Sequence, residues 1–381
     1  MWCAAWRSLR GSAAATILVA VVFVCANFAL PPRGGAGPLY PDMTSISADS
    51  CTVFAVTQWD NVLVGNNEDY PYEESFYWVE PGDEGDYGVL YFGLEDLRPR
   101  GGINEHGLCF DATGLPDALL NRHWDRPALD VHFPILAMRY CATVEEVIDL
   151  SQQYDWGRHL RYQALFADRT GDAVVISPGL DGELTFTRKR EGNAYLVATN
   201  FNRANRAHGD YPCERYERSV VMLERTKTGT ELTPELCRDV LHSVSQREAT
   251  SFTLYSNIID PSNGLVYLYY LRQYDEVAIL DVADVLGQGQ VVHRMGDLFS
   301  EETVLRGASA VPKVEGSSIP VVAPLLVVLG GVVGLLALLR IEVCGHCVVG
   351  RECPFVPRLC LDQRLFRKQV PSLRFRFSRL H

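Results

Sequence analysis

A cysteine at the head of an apolar, β-branched run is the residue of this chain best placed to act as a nucleophile. Cys51 follows Ser50 and precedes the run 52–57. Cleavage of the Ser50-Cys51 bond would leave one residue with both a thiol and a free α-amine. Because an α-amine has an ordinary pKa of about 7.7–8.0, it can take the proton of its own thiol near neutral pH. The competing interpretation is a buried structural cysteine, which is the commoner role of this residue type.

Further polar motifs follow Cys51 in an order that could complete such a site. They are Gly65-Asn66-Asn67-Glu68-Asp69, Gly102-Ile103-Asn104-Glu105-His106-Gly107-Leu108, Ala198-Thr199-Asn200-Phe201 and Arg215-Tyr216-Glu217-Arg218. Asparagine amides can donate hydrogen bonds to an oxyanion. Arg215 and Arg218 are three residues apart, so on a helix they would share a face.

The order of these motifs resembles that of the N-terminal-nucleophile amide hydrolases of the choloylglycine hydrolase, penicillin V acylase and acyl-coenzyme A:6-aminopenicillanate acyltransferase group. The resemblance covers residues 51–286. It implies an α+β fold, an αββα sandwich in which two antiparallel sheets stack between helical layers. It also implies that Cys51 attacks an amide carbonyl, releases the amine and holds the acyl group as a thioester until water hydrolyses it.

The resemblance implies a role for each matching residue. Asp69 would orient the α-amine, and Asn104 and Asn200 would stabilise the oxyanion. One of Arg215 and Arg218 matches an arginine beside the nucleophile, and the sequence leaves open which one. The competing interpretations are a turn aspartate, turn or strand-end asparagines and a solvated charge on a helix.

One position departs from the pattern of the relatives. Many of them carry Gly-Arg-Asn-x-Asp where this chain has Asn66 in place of the arginine. An arginine close to the thiol would favour the thiolate by its charge, whereas Asn66 can only hydrogen-bond. Arg203 or Arg206, on the loop after Asn200, is an alternative source of that charge.

Local patterns predict the secondary structure. Short apolar and β-branched runs predict strands over residues 52–57 and 62–65, joined by a hairpin through Trp59-Asp60-Asn61, with Gly65–Asp69 as a turn. Further strands are predicted over residues 89–92, 162–166, 173–176, 195–199, 252–259, 265–271 and 276–280. Helical spacing predicts helices over residues 133–141, 144–154, 213–227 and 234–245. Thr143 and Glu146 form a capping box at the start of the second helix.

The length and charge of the chain limit the classes of function that it can have. Its 381 residues suffice for one large catalytic domain, placed at residues 51–310, with appendages on both sides. The formal net charge is −12 at pH 7 and no basic stripe crosses the domain, so a nucleic-acid partner is not expected. The sequence shows neither a glycine-rich phosphate loop nor a metal-binding histidine spacing, and no cofactor is predicted.

The cysteines leave two interpretations open. Of the 11 cysteines in the chain, Cys109, Cys141, Cys213 and Cys237 lie in the predicted domain with Cys51. An even number beside the nucleophile permits two disulfides, with Cys213 and Cys237 the favoured pair because they bracket one predicted helix. Alternatively, all four are small buried apolar side chains.

Two uncharged apolar segments predict a membrane protein. Residues 1–30 have the form of a signal peptide or signal anchor, and residues 31–50, rich in proline and glycine, form a linker or propeptide. Residues 319–339 are long enough for a transmembrane helix of roughly 30 Å. The basic tail, residues 340–381, is then predicted to be cytoplasmic, which places the catalytic domain outside the cell or in a lumen.

The tail contains four cysteines whose role is open. Cys344, Cys347, Cys353 and Cys360 have a spacing that fits known zinc sites poorly, so zinc binding is a weak hypothesis. Palmitoylation of Cys344 or Cys347 beside the membrane is the competing one.

Together these patterns predict a membrane-tethered hydrolase of linear amides, with a small molecule or a lipid as substrate. The first alternative is an acyltransferase, in which an amine rather than water takes the acyl group. The second is a catalytically inactive binding domain on the same fold, which Asn66 supports. The acyl and amine parts of the substrate and the oligomeric state stay open.

Overall fold

The computed structural model describes residues 51–189 and 193–312 of the chain. Its strands are β1 (Thr52–Gln58), β2 (Asn61–Tyr70), β3 (Ser75–Glu80), β4 (Val89–Leu94), β5 (Pro99–Asn104), β6 (Cys109–Leu119), β7 (His159–Ala167), β8 (Ala173–Pro178), β9 (Leu184–Arg188), β10 (Tyr195–Ala198), β11 (Arg247–Glu248), β12 (Ser251–Asp260), β13 (Leu265–Tyr270), β14 (Gln273–Asp281) and β15 (Val291–Arg294). Its helices are α1 (Phe133–Tyr140), α2 (Val144–Ser151), α3 (Glu214–Leu223), α4 (Pro234–Val244), α5 (Val282–Leu286) and α6 (Glu301–Ala310), with 3₁₀ turns at Glu224–Thr228 and Met295–Leu298.

These strands form two antiparallel sheets. The first has the order β10-β1-β2-β12-β13-β14, with β11 paired to β12, and the second has the order β15-β3-β4-β5-β6-β7-β8-β9. In the first sheet Thr52 of β1 lies opposite Asn67 of β2, and Val53 lies opposite Ala198 of β10. The start of β1 is therefore held by a neighbouring strand on each side.

Each sheet faces the other sheet on one side and helices on the opposite side. Side chains alternate between these two faces along each strand. On β1, Val53 and Ala55 join an apolar core between the sheets, whereas Phe54 joins a cluster that contains residues of α3 and α4. On β7, Leu165 joins the core between the sheets and Phe166 packs with residues of α1 and α2. The layers are therefore helix, sheet, sheet and helix, which confirms the predicted αββα sandwich.

The structure contains the hairpin and the helix capping box that the sequence predicts. β1 and β2 are joined through Trp59 and Asp60, and Trp59 adopts a φ of 53°, as a tight hairpin turn requires. At the start of α2, the Thr143 side chain accepts from the Glu146 backbone while the Glu146 carboxylate accepts from the Thr143 backbone. The hairpin and the capping box are thus confirmed.

The segment Gly65–Asp69 is not the predicted turn. It forms the second half of β2, which lies between β1 and β12 and pairs with both of them. Backbone pairing on two sides outweighs the low β-propensity of asparagine and aspartate. As a consequence, neighbouring residues of the motif point alternately to the two faces of the first sheet.

Several elements of the second sheet have no clear signal in the sequence. β5 is one of them, because glycines usually weaken a strand. A Cβ at Gly102 would lie 2.8 Å from the carbonyl oxygen of Leu90, so the close approach of β4 requires glycine there. The close packing of β4 against β5 therefore explains why this glycine-containing segment is a strand, although its composition does not predict one.

Of the two interpretations that the sequence left open for the cysteines, the structure supports buried apolar side chains and not a disulfide between Cys213 and Cys237. No disulfide joins the described cysteines, and all five of them are buried: Cys51, Cys109, Cys141, Cys213 and Cys237. Cys213 and Cys237 both lie in the apolar cluster between the first sheet and its helices, where they pack as small hydrophobic side chains.

The predictions for residues 1–30, 31–50, 319–339 and 340–381, with Cys344, Cys347, Cys353 and Cys360, lie outside the described residues. Within residues 51–189 and 193–312, no helix has the length and apolarity needed to cross a bilayer. The membrane tether stays a prediction from the sequence.

Candidate active site

Cys51 lies immediately before β1, at one end of the first sheet, and is 1% exposed. Thr52 and Val53, the next residues, pair with Asn67 of β2 and Ala198 of β10. Extending this register by one residue brings Cys51 beside the last residues of β2 and the loop that follows β10. Strand pairing thus collects the nucleophile candidate and two of the polar motifs at one place.

Arg215, in the first turn of α3, joins these segments. Its Nη1 donates to the carbonyl oxygen of Cys51 at 2.5 Å and to Oγ1 of Thr52 at 3.1 Å. Its Nη2 donates to Oδ1 of Asn200 at 2.9 Å, and Nη1 lies 4.0 Å from Oδ2 of Asp69. The planar guanidinium can hold several acceptors in one fixed geometry, which a lysine could not do. One side chain therefore sets the positions of Cys51, Asn200 and Asp69 relative to one another.

Asp69 is fully buried on the face of β2 that points to the helices. Its Oδ1 accepts a hydrogen bond from Oγ1 of Thr253. Burial raises the pKa of Asp69 to about 7, although the charge of Arg215, the Thr253 hydrogen bond and the charge of Arg272 act in the opposite direction. The carboxyl therefore titrates near neutral pH instead of near its ordinary value.

Asn200 is held with its amide in a defined orientation. Its Oδ1 accepts from Arg215, and its Nδ2 donates to the carbonyl oxygen of Gly114 at 3.1 Å. Because a guanidinium can only donate, this contact assigns the oxygen to the Arg215 side and the N–H groups to the other side. The side chain is thus oriented as a hydrogen-bond donor, which is the property that an oxyanion site needs.

The loop that carries Asn200 is fastened to the second sheet by residues that the sequence analysis did not single out. Nε2 of Gln163 donates to the carbonyl oxygens of Thr199 at 2.7 Å and Phe201 at 2.8 Å. Oγ1 of Thr113 donates to the same Thr199 oxygen at 3.0 Å. The signal that could have found Gln163 is a long polar side chain directly before the apolar run 164–167 of β7.

Asn66 points away from the helices and toward the second sheet, because its partner Val53 belongs to the core between the sheets. Neither Arg203 nor Arg206 replaces the missing arginine there. Both guanidinium groups lie over the ring of Tyr216, at 5.1 and 5.8 Å from its centroid, on the helix side of the first sheet. An uncharged amide therefore occupies position 66, and neither of these two arginines lies on its face of the sheet.

The Asn104 side chain forms its hydrogen bonds away from the group around Arg215. Its Nδ2 donates to the carbonyl oxygens of Met138 at 2.9 Å and Cys141 at 2.8 Å, and its Oδ1 accepts from the backbone N–H groups of His106 at 3.1 Å and Leu108 at 3.0 Å. These contacts use the two donors and the two acceptor positions of the amide. The side chain ties the turn between β5 and β6 to the end of α1, and the structure does not bring it into the group around Arg215.

Arg218, one helical turn after Arg215, also lies apart from that group. It donates to the carbonyl oxygen of Ser243 at 2.8 Å and pairs with Glu214, and its side chain is 48% exposed. The structure therefore distinguishes the two arginines that the sequence left equivalent, and it places Arg215 at the cysteine.

No protein-family model and no curated protein matches the chain. Among solved structures, it is similar to a variant of conjugated bile acid hydrolase from Clostridium perfringens, with 14% identity, a TM-score of 0.48, and coverage of 64% of this chain and 96% of that chain. It is also similar to penicillin V acylase from Agrobacterium tumefaciens, with 15% identity, a TM-score of 0.44, and coverage of 64% and 90%. A third similar structure is the Caenorhabditis elegans ortholog of N-acylethanolamine-hydrolyzing acid amidase, with 16% identity, a TM-score of 0.43, and coverage of 64% and 100%. At these identities and TM-scores, the similarities carry no conclusion about the chemistry of this chain.

The arrangement around Arg215 suits covalent chemistry on sulfur. It combines a buried cysteine, a carboxyl that titrates near neutral pH and an oriented amide donor. Within the described part of the chain, no group of three or more histidine, cysteine, aspartate or glutamate side chains could hold a metal ion. The thiol, the carboxyl and the amide around Arg215 can supply nucleophilic, acid–base and hydrogen-bonding chemistry.

The raised pKa of Asp69 predicts a pH-dependent difference in stability between the wild type and Asp69→Asn. Below the ordinary value of 3.8 the carboxyl is protonated in both states, and between 3.8 and about 7 only the unfolded chain ionises. The contribution of Asp69 to stability therefore falls as pH rises toward 7 and is constant above it. Thermal melts are expected to show the Tm of Asp69→Asn rising relative to wild type from pH 4 to pH 7, then levelling.

Asp239→Asn is the matched control, because it removes a carboxylate that is 55% exposed on α4. Its Tm difference from wild type should show no such rise. A constant difference for Asp69→Asn across the same range would contradict the raised pKa.

Proposed function

We propose that this chain is a cysteine hydrolase of linear amides, with Cys51 as its nucleophile and as the first residue of the mature chain. The observation that carries the proposal is the Arg215 guanidinium, which binds the Cys51 carbonyl and the Asn200 amide and lies 4.0 Å from Asp69. Segments far apart in the sequence thus converge on one buried cysteine. A cysteine that served only to fill a strand would not require this convergence.

In the proposed reaction, the α-amine of Cys51 takes the proton of its own thiol and the thiolate attacks the amide carbonyl carbon. Nδ2 of Asn200 donates a hydrogen bond to the oxyanion that forms. When the carbon–nitrogen bond breaks, the α-ammonium gives its proton to the departing amine, and the acyl group stays on sulfur as a thioester. Water then attacks the thioester with the α-amine as base, which releases a carboxylic acid and restores the thiol.

Asp69 and Arg215 would set the charge around the α-amine. Arg215 holds the Cys51 carbonyl, so it limits rotation of the nucleophile at the start of β1. An ionised Asp69 offsets the guanidinium and favours the protonated form of a neighbouring amine, because opposite charges attract strongly in a buried site. Both residues would thus act through Cys51 and not by contact with the substrate.

An acyltransferase would use the same acyl-enzyme and pass the acyl group to an amine. Turnover of an amide with a labelled acyl group, with and without added amines, separates the two activities. A hydrolase releases labelled acid, whereas a transferase forms a new labelled amide. Absence of both products would favour an inactive binding domain, the alternative that Asn66 supports.

We also propose that the domain is tethered to a membrane by residues 319–339, with the tail 340–381 in the cytoplasm. The support is the uncharged length of the segment and the basic residues that follow it. A tether would keep the site close to a bilayer, where lipid amides are concentrated. Lipid amides therefore belong to the substrate candidates together with soluble small molecules.

The mature chain is expected to begin at Cys51, because only then does the nucleophile carry an α-amine. Mass spectrometry of the N-terminal peptide of purified protein measures this directly. Cys51→Ala is expected to stay uncut if the thiol drives the cleavage, whereas Cys109→Ala, which removes another buried thiol, is expected to be processed normally. An active mature chain that starts before Cys51 would overturn the mechanism.

Asn200→Ala is expected to lower kcat for amide hydrolysis by about 10²–10³-fold, the usual effect of removing one oxyanion donor. Its near-UV circular dichroism should match the wild type. Asn205→Ala, on the same loop, is the control and should retain kcat. Full activity of Asn200→Ala would exclude its side chain from the oxyanion site.

The proposed topology predicts the outcome of proteolysis on sealed, right-side-out membranes that carry the full chain. Added protease should digest the domain that contains Cys51 and spare an epitope placed after residue 381, because the two would lie on opposite sides of the bilayer. Detergent should then expose the epitope. Digestion of the epitope before detergent is added would show that the orientation is reversed.

A further inference from the structure

A cavity of about 260 Å³ lies beside β9, the strand at one edge of the second sheet. Leu184 and Phe186 of β9 line it, and both pack against the apolar cluster that this sheet forms with α1 and α2. The cavity is therefore on the outer, helix side of the sheet. Its volume is just below the range of about 300–1,000 Å³ that is usual for ligand pockets, so it suits a small molecule of one or two rings.

The second sheet separates this cavity from Cys51. Alternate residues of a strand share a face, and Cys51 comes two residues before Val53 at the start of β1. Val53 belongs to the core between the sheets, so the Cys51 side chain points toward that core and not toward the helices. The cavity is thus distinct from the group around Arg215, and it would be present whether or not Cys51 is a nucleophile.

Aromatic side chains form a rigid wall of the cavity. Tyr154 and Trp156, from the segment after α2, line it together with Phe186. Nε1 of Trp156 donates to the carbonyl oxygen of Ser151 at 2.9 Å, and the indole packs against the ring of Phe133 with a centroid distance of 4.5 Å. These contacts fix the indole in place, so a flat apolar surface is formed before any ligand binds.

The carboxylate that lines the cavity has partners within the protein. Oε1 of Glu183 accepts from Nδ2 of Asn121 at 2.8 Å, and Oε2 lies 2.8 Å from Nε2 of His123. The Asn121 hydrogen bond holds the pKa of Glu183 below its ordinary value, and His123 acts in the same direction, while burial opposes both. Asp155, in the segment after α2, pairs with Arg122 at 2.7 Å. Both carboxylates are therefore compensated without a ligand.

Arg126, which also lines the cavity, has no such partner. Within the described part of the chain, its guanidinium makes neither a hydrogen bond nor an ion pair. Its backbone is nevertheless fixed, because its N–H donates to the carbonyl oxygen of His123 at 2.9 Å and the next carbonyl, that of Pro127, accepts from the N–H of Asp155 at 2.8 Å. A positive charge is therefore held at the cavity and is available to a ligand.

We infer that this cavity is a second ligand site, which binds a small organic carboxylate with a flat apolar body. The planar guanidinium of Arg126 matches the two oxygens of a carboxylate. Gln152 and Tyr154 add an amide and a hydroxyl that make no side-chain hydrogen bond among the described residues. The aromatic wall would contact the body of the ligand. A single available cation beside the ionised Glu183 favours one negative charge over the double charge of a phosphate.

Three probes with one ring system separate the charge of the ligand from its body. They are naphthalene-2-carboxylate, the uncharged naphthalen-2-ylmethanol and naphthalen-2-ylmethylamine, which is a cation near neutral pH. Each is titrated into the full chain by isothermal titration calorimetry. We expect the carboxylate to bind with a Kd of about 1 mM or lower, as its size allows. It should bind about 10-fold or more tightly than the other two, because only the carboxylate can pair with Arg126.

Two variants with matched controls assign the binding to this cavity. Arg126→Gln should weaken binding of the carboxylate by about 10-fold or more, because it removes a charge-assisted hydrogen bond. Arg306→Gln, which removes a partly exposed arginine on α6, should keep the wild-type affinity. Tyr154→Ala should weaken the carboxylate by about 5-fold through the loss of part of the aromatic wall. Tyr140→Ala, which removes an exposed tyrosine on α1, should have no effect.

The site would be overturned if the carboxylate fails to bind, if the alcohol or the amine binds as tightly, or if Arg126→Gln keeps the wild-type affinity. Thermal melts check that each variant is folded. If Arg126→Gln is not, Arg126→Lys provides the comparison, since it keeps the charge without the planar fork and should bind the carboxylate more weakly than the wild type but still prefer it. None of these measurements uses amide hydrolysis, so the site and the proposed function can fail independently.

Discussion

The candidate site depends on one guanidinium. Arg215 donates to the Cys51 carbonyl, to Thr52 and to Asn200, and it lies close to Asp69. The helix that carries it packs on the outer face of the first sheet, while the loop of Asn200 is fastened to the second sheet. An arginine suits this position because its planar fork stays charged and loses little freedom for each hydrogen bond it forms. Without it, the buried Asp69 carboxyl would lose a nearby positive charge and Oδ1 of Asn200 would lose the hydrogen bond from the guanidinium.

β2 gives the site two different electrostatic surroundings. As a strand, it sends Asp69 toward the helices, where arginines compensate it, and Glu68 toward the second sheet, where it meets Asp111. A turn at this place would not separate the two carboxyls in this way. The same strand can therefore help to hold the nucleophile on one face while it carries a second buried carboxyl on the other.

Much of the site's rigidity comes from the packing of two sheets against each other. Gln163 reaches from β7 to the backbone on both sides of Asn200, and Gly101 leaves room for Asp111. A close-packed interior transmits small displacements, so changes in the second sheet would move groups attached to the first. The catalytic candidates and the residues that position them are thus distributed over both sheets.

The sequence by itself determined the features that depend on neighbouring residues. The apolar run after Cys51, the hairpin after it and the capping box of α2 are local patterns, and the resemblance carried by the order of the motifs implied the αββα layers. Only the tertiary structure decided which arginine faces the cysteine, that Asn104 ties a turn to a helix, and that Asp111 meets Glu68. The physical reason is that a hydrogen bond such as that from Arg215 to Cys51 joins residues 164 positions apart. Spacing along the chain records which side chains share a strand or a helix face, whereas the packing of sheets and helices selects their partners.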